Sequence, residues 1–312
     1  MASMSIDLRL LVALVVTASL VAGCLGLAGI ERHAEAREPD PPKFDPANFV
    51  DPTLSTNRYH PTRPGLQWIR GGSTEIGLRK VPHQVISTMT DVIRMIDGVP
   101  CIAMLDQSTD SGAISQVGLD YIALDKDGNL WLMGGYAEEY EGGEFTNPET
   151  AWLGVTGGIH KLHQSSRGPQ RTSVTGILIP GAVTMNTPRW YISTSGDEDP
   201  SGAEPYSADS DVSVAYGRFQ RVVGVLEGSL RAIDNEIKYY APGVGVVLNL
   251  PRDTSIHQDH FELLNFITLS PEGLAEASEV VLGLEEHART TAPEVYGSVS
   301  KAKRASHDDA SR

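Results

Sequence analysis

From residue 57 to residue 268 the chain repeats one pattern: a short apolar or β-branched run, then a turn of Gly, Asp, Asn or Pro. QWIRGG (67–72) and HQVISTMTDVIRMI (83–96) are such runs, and VPCIAML, VGLDYIAL, LWLMGG, FQRVVGVLEG, NEIKYYAP, VGVVLNL and HFELLNFITL follow. Asp97-Gly98 and Asp127-Gly128 each separate two runs, which is a strong hairpin signal. The segment 148–210 is poorer in pattern, with ILIPG and RWYIS as short strands ahead of an acidic loop. The succession predicts a mainly β chain, folded as a single curved antiparallel sheet: a meander of open half-barrel form. Past Ser270 the period changes. Ser270 is a natural N-cap with Pro271 behind it, and Leu274, Ala277, Val281, Leu284 and Ala288 share one face. Glu276, Glu279, Glu285 and Glu286 fall outside that stripe, so a C-terminal amphipathic helix is expected to dock on the sheet and enclose an apolar pocket with it.

The two ends differ from this middle. Residues 10–22 are almost wholly apolar and follow a short segment with one Arg. That run spans about 20 Å as a helix, short of a bilayer's roughly 30 Å core, and has the layout of a secretory signal peptide. Val21-Ala22-Gly23-Cys24 resembles the lipobox of bacterial lipoproteins, where cleavage precedes a Cys that is acylated, as by a palmitate chain. The expected organisation is therefore a signal peptide over 1–23, lipidated Cys24 and a charged, Pro-rich tether over 24–48, a β-rich domain over 49–269, the helix over 270–292, and a disordered tail over 293–312. The chain is expected to be exported and anchored to the cell envelope by its N-terminal lipid. Leu25 after the Cys points to the outer membrane if two membranes are present. With Cys24 lipidated, Cys101 has no intrachain partner and reads as a buried structural thiol.

Composition narrows the partners. A formal charge of -15 over 312 residues argues against nucleic acid, whose backbone needs clustered Lys and Arg. No cofactor motif is present. APGVGVV (241–247) lacks the third glycine and the following helix of a dinucleotide loop, so Pro242-Gly243 reads as a turn. No G-x-S-x-G elbow occurs, and no catalytic residue is assigned. In DKDGN, Asp125, Asp127 and Asn129 have calcium-like spacing, but Gly128 comes too early and Tyr136 stands where a bidentate Glu belongs. A hairpin turn explains it better. Two candidate metal sets remain. His160 and His163, with His257 and His260, form two pairs at three-residue spacing, and carboxylates flank the second. Asp197, Asp199, Asp209 and Asp211 sit in the acidic stretch as a possible cation-binding loop for a hard cation.

Several segments, taken in order, resemble a family of exported bacterial proteins of unknown function. NRYHPTRPGLQWIRGG (57–72) matches its Asn-Pro-Tyr-Phe-Pro-Leu-x-Pro-Gly-x-x-Trp-like start, with His60 in place of Phe and Thr62 in place of Leu. IDGVPC, LDYIALDKDGNLWLMGG, GILIPG, VAYGRF and IKYYAPGVGVV follow over most of residues 45–268. The resemblance implies a β-rich exported domain and brings no catalytic residues. The meander is also similar to the curved sheets of lipoprotein carriers. The expected function is a lipid-anchored envelope protein that binds a hydrophobic small molecule or another envelope protein without chemistry of its own. The alternative is a metal-dependent hydrolase built on the four histidines.

Overall fold

Alternating residues become strands, and the strands are longer than their apolar runs. A computed structural model describes residues 39–54, 57–77, 79–154, 173–194, 200–229, 235–252 and 259–305. These belong to the unit Glu38–Arg312; the unit Met1–Arg37 lies outside the described residues. The strands are β1 (Phe49–Val50), β2 (Leu66–Ile76), β3 (Arg79–Ile96), β4 (Val99–Asp110), β5 (Ala113–Asp125), β6 (Leu130–Glu141), β7 (Glu144–Leu153), β8 (Val174–Ile179) and β9 (Trp190–Thr194). After them come β10 (Ser201–Val214), β11 (Gly217–Ser229), β12 (Glu236–Ala241), β13 (Gly245–Pro251) and β14 (His260–Thr268). Helix α1 (Pro271–Thr291), the short α2 (Pro293–Tyr296) and β15 (Lys303–Arg304) end the described chain.

The sheet closes, where the sequence pattern predicts an open half-barrel. Neighbours run β2-β3-β4-β5-β6-β8-β9-β10-β11-β12-β13-β14, every pair antiparallel, and β14 pairs with β2 from His260↔Ser73 to Thr268↔Leu66. A sheet of that many twisted strands brings its edges together, and pairing them satisfies backbone groups that an open edge leaves bare. Strand β6 serves two partners on one edge, β8 through residues 130–132 and β7 through residues 134–141.

Tight turns set the register as the sequence suggests. Asp97 and Gly98 both have positive φ, the requirement of a two-residue hairpin turn. At the β5–β6 turn, Asp125 accepts from the backbone N–H of Asp127 and Asn129 and from Trp131 Nε1, all at 2.8–2.9 Å, and Gly128 takes φ +81. The carboxylate is consumed by the turn itself.

The period-two alternation separates two cores. One, with residues from all twelve ring strands, fills part of the lumen; Trp68, Met89, Ile102, Ile122, Leu130, Val225 and Leu263 are among its buried members. The segment before β2 helps close it: Asn57 donates to Gly128 O at 2.8 Å, and Tyr59 and Thr62 are buried. The other core lies outside, where Cys101, Ala103, Leu105, Leu119 and Tyr121 meet Val281, Leu284 and Ala288 of α1. Cys101 is fully buried, and burial pushes its thiol pKa up, as a structural thiol requires.

Ser270 caps α1, accepting from Gly273 N–H at 3.2 Å. Four readings change. Among the described residues the helix packs on a core of buried side chains on the outer face of the barrel, not over the lumen cavity. Glu285, expected outside the buried stripe, is buried because Arg94 on β3 draws it in. Residues 293–305, expected in a disordered tail, form α2 and β15; Val295, Tyr296 and Ala302 are buried, and β15 pairs with Val92 and Ile93. The acidic stretch likewise becomes β10 from Ser201 on.

Candidate functional site

Above its apolar part, the lumen holds a cavity of about 670 Å³. Its wall follows the inward alternation of the strands. Met104, Asp106, Ser108 and Asp110 come from β4, Gln116 and Asp120 from β5, Glu139 and Glu141 from β6. Arg70 on β2, His83 and Ser87 on β3, Lys238 and Tyr240 on β12, and Phe261 on β14 complete most of the ring. His60, from the segment before β2, also lines it.

Most of these polar groups are tied to one another. Arg70 donates Nε to Val246 O at 3.1 Å and Nη1 to Ser87 Oγ at 2.9 Å, and Ser87 Oγ in turn donates to Asp106. Lys238 Nζ lies 2.8 Å from Glu227 and 2.9 Å from Glu236. Tyr240 donates to Glu227 at 2.5 Å, and Asn249 Nδ2 to Glu236 at 2.6 Å. His83 Nδ1 meets Asp110 at 2.7 Å, with Asp259 3.7 Å from its Nε2.

Two groups are not. Asp120 is half-buried and has no side-chain hydrogen bond or ion pair among the described residues, and the Nδ1 of buried His60 has no partner. Burial first, and the neighbouring charge of Asp106 second, raise the Asp120 pKa to about 7 against the pull of Lys238. Burial lowers His60 to about 4, helped by the positive charges of Arg70 and Lys238, so its imidazole is neutral. Burial also brings Arg70 down to about 10 and raises Asp106, which the Ser87 hydrogen bond and Arg70 partly offset. For Lys238, burial acts downward, but Glu227 and Glu236 hold its pKa well above the usual lysine value. The wall is therefore a set of charges held by the barrel, with an acidic surplus on β4–β6.

The residues singled out from sequence fall elsewhere. Cys24, His160, His163, His257, Asp197 and Asp199 lie outside the described residues. His260 opens β14 and is exposed. Asp209 takes φ 56 in an irregular part of β10, and Asp211 pairs with Arg218 at 2.8 Å across the β10–β11 hairpin, both at the surface. Among the described residues no group of three or more His, Cys, Asp or Glu is placed to hold a metal ion.

The lumen residues carry a signal that a search for motifs passes over. Asp106 sits in register with Met104 and Ile102 on one face of β4, Asp120 with Ile122 and Leu124 on β5, and Lys238 lies between Ile237 and Tyr239 on β12. A charge at an inward position of an otherwise apolar strand marks a polar lumen once the sheet is known to close. His60 stands where the resembled family's element has Phe, and that exchange was the visible cue.

No protein-family model matches the chain, and no curated protein sequence matches it. Among solved structures, a candidate lipoprotein of Parabacteroides distasonis is 12% identical, with a TM-score of 0.36 over 68% of this chain and 99% of that one. A candidate exported protein with YmcC-like fold from Bacteroides fragilis is 13% identical, with a TM-score of 0.36 over 68% of this chain and 100% of its own. Those descriptions belong to the two proteins named.

Proposed function

We propose that this chain is an exported, lipid-anchored envelope protein that binds a small polar ligand in the barrel lumen and does not transform it. The observation that carries the binding reading is the cavity of about 670 Å³ walled by charged side chains, one of which, Asp120, is left without a partner. That volume lies in the range of small-molecule sites. A half-buried carboxyl group in a cavity wall without a protein partner keeps its acceptors open, and a ligand that donates to them gains a charge-assisted hydrogen bond. The polar lining favours a polar ligand over the hydrophobic one that the sequence suggests. The anchor rests on the lipobox-like Val21-Ala22-Gly23-Cys24.

The test has two arms. Thermal unfolding of the purified mature protein is followed with millimolar 1,5-diaminopentane, xylitol or citrate, and repeated on Thr74→Trp, which fills the lumen from β2. A rise in Tm with a polar probe that the tryptophan abolishes supports the reading; no rise with any of the three sinks it. For the anchor, Cys24→Ala is expected to move the protein from the membrane to the soluble fraction or leave it uncleaved, and unchanged fractionation removes the lipid.

A further inference from the structure

We infer that the lumen ligand is a cation, an organic ammonium whose N–H groups pair with the carboxylate of Asp120. This rests on the binding reading above and names the class of molecule.

Three observations converge. First, the other charges at that level are already matched. Lys238 is held by two glutamates, Asp106 by Ser87 with Arg70 behind it, and Arg70 by Val246 O and Ser87. An anion entering the cavity would compete with acceptors already in place, whereas a cation meets an open carboxylate.

Second, glycine lets the Asp120 carboxylate lie against the β6 backbone while it still lines the cavity. Across the β5–β6 ladder its partner is Gly135, and Gly118, two residues earlier on the same face, stands opposite Ala137. A Cβ at residue 135 would come within 3.0 Å of Asp120 Oδ1. Gly135 and Gly118 thus seat the carboxylate close against β6, with Trp152 Nε1 on that side, and an ammonium group reaches it from the cavity.

Third, the charges facing the cavity have an acidic surplus. Asp106, Asp110, Asp120, Glu139 and Glu141 line it from three adjacent strands. Against them stand Arg70 and Lys238, and Lys238 is offset by its ion pairs with Glu227 and Glu236. His60 adds no positive charge, since it is neutral. Low-dielectric walls bearing one sign of charge concentrate the opposite ion.

The test is calorimetric titration of the mature protein with 1,5-diaminopentane, xylitol and citrate at 150 mM salt, on wild type, Asp120→Asn, Asp120→Glu and the surface control Asp211→Asn. The expected result is binding of the diamine only, weakened roughly 30-fold or more by Asp120→Asn, as for loss of one partner of a buried charge pair. Asp120→Glu is expected to retain part of the affinity and Asp211→Asn all of it. Equal diamine affinity in wild type and Asp120→Asn overturns the assignment. Binding of xylitol or citrate without the diamine overturns the cation and leaves lumen binding standing. No binding of any probe removes both readings together.

Discussion

The molecule has two buried polar networks, on opposite faces of the same strands, and they are finished to different degrees. Outside the barrel, Glu285 of α1 accepts from Arg94, from Tyr121 OH and from the Ala302 N–H at 3.0 Å. Arg94 also donates to Ser300 O at 2.9 Å and lies over the rings of Tyr121 and Tyr296. Beside it, Asp91 takes a two-pronged bond from Arg304 and one from Ser278 at 2.7 Å. Inside, Asp120 and His60 Nδ1 are left without partners. The same sheet thus spends its outward charges on holding α1 and the C-terminal strand, and keeps inward charge in reserve. Buried ions that are matched fix architecture, whereas a half-buried acid without a partner adds nothing to it and leaves its acceptors open to the cavity.

The largest test of this contrast is Glu285→Ala. It leaves Arg94 buried without its carboxylate, and a loss of about 3–5 kcal/mol is expected. Urea unfolding monitored by tryptophan fluorescence measures it. A loss no greater than that of an exposed glutamate would show that the outer network is ornamental.

Asp120→Asn should act in the opposite direction, by a smaller amount. Its raised pKa means that the folded state holds the proton more tightly than the unfolded chain. Stability is therefore lost as pH rises from about 4 towards about 7, and stays lost above it, by at most about 4 kcal/mol and by less as far as water reaches the half-buried carboxyl. Asparagine removes that slope, so the variant should match wild type near pH 4 and exceed it at pH 8. Parallel stability curves for the two proteins from pH 4 to pH 8 would mean that Asp120 is solvated like any surface acid. The smallest effect belongs to Asp211→Asn, whose exposed pair with Arg218 is expected to leave the unfolding midpoint where it was.

How much of this the sequence discloses depends on distance along the chain. The hairpins are local: Asp97-Gly98 and Asp127-Gly128 announce their turns through residue chemistry that acts over four positions. Helix α1 is local as well, with its cap at Ser270 and its stripe at Val281, Leu284 and Ala288. Closure is not local. The pairing of Phe261 with Gly72 joins residues far apart in sequence, and nothing in either strand says whether the meander ends in an edge or a ring. The lumen inherits that gap, because Asp106, Asp120 and Lys238 look like scattered charges until the ring turns them towards one another. Glu285 was hidden for the same reason, since its buried state depends on Arg94, which lies 191 residues away.

Closure by β14 also orders events in time. Strand β2 waits for a partner made almost two hundred residues later, and β3 waits longer still for β15. Pairings of such long span form slowly, because the intervening chain must give up its freedom before the contact repays it. A growing chain therefore emerges with the edge of β2 unpaired and the outer face of β4 and β5 uncovered. It can fold to completion only after its last strands have been made.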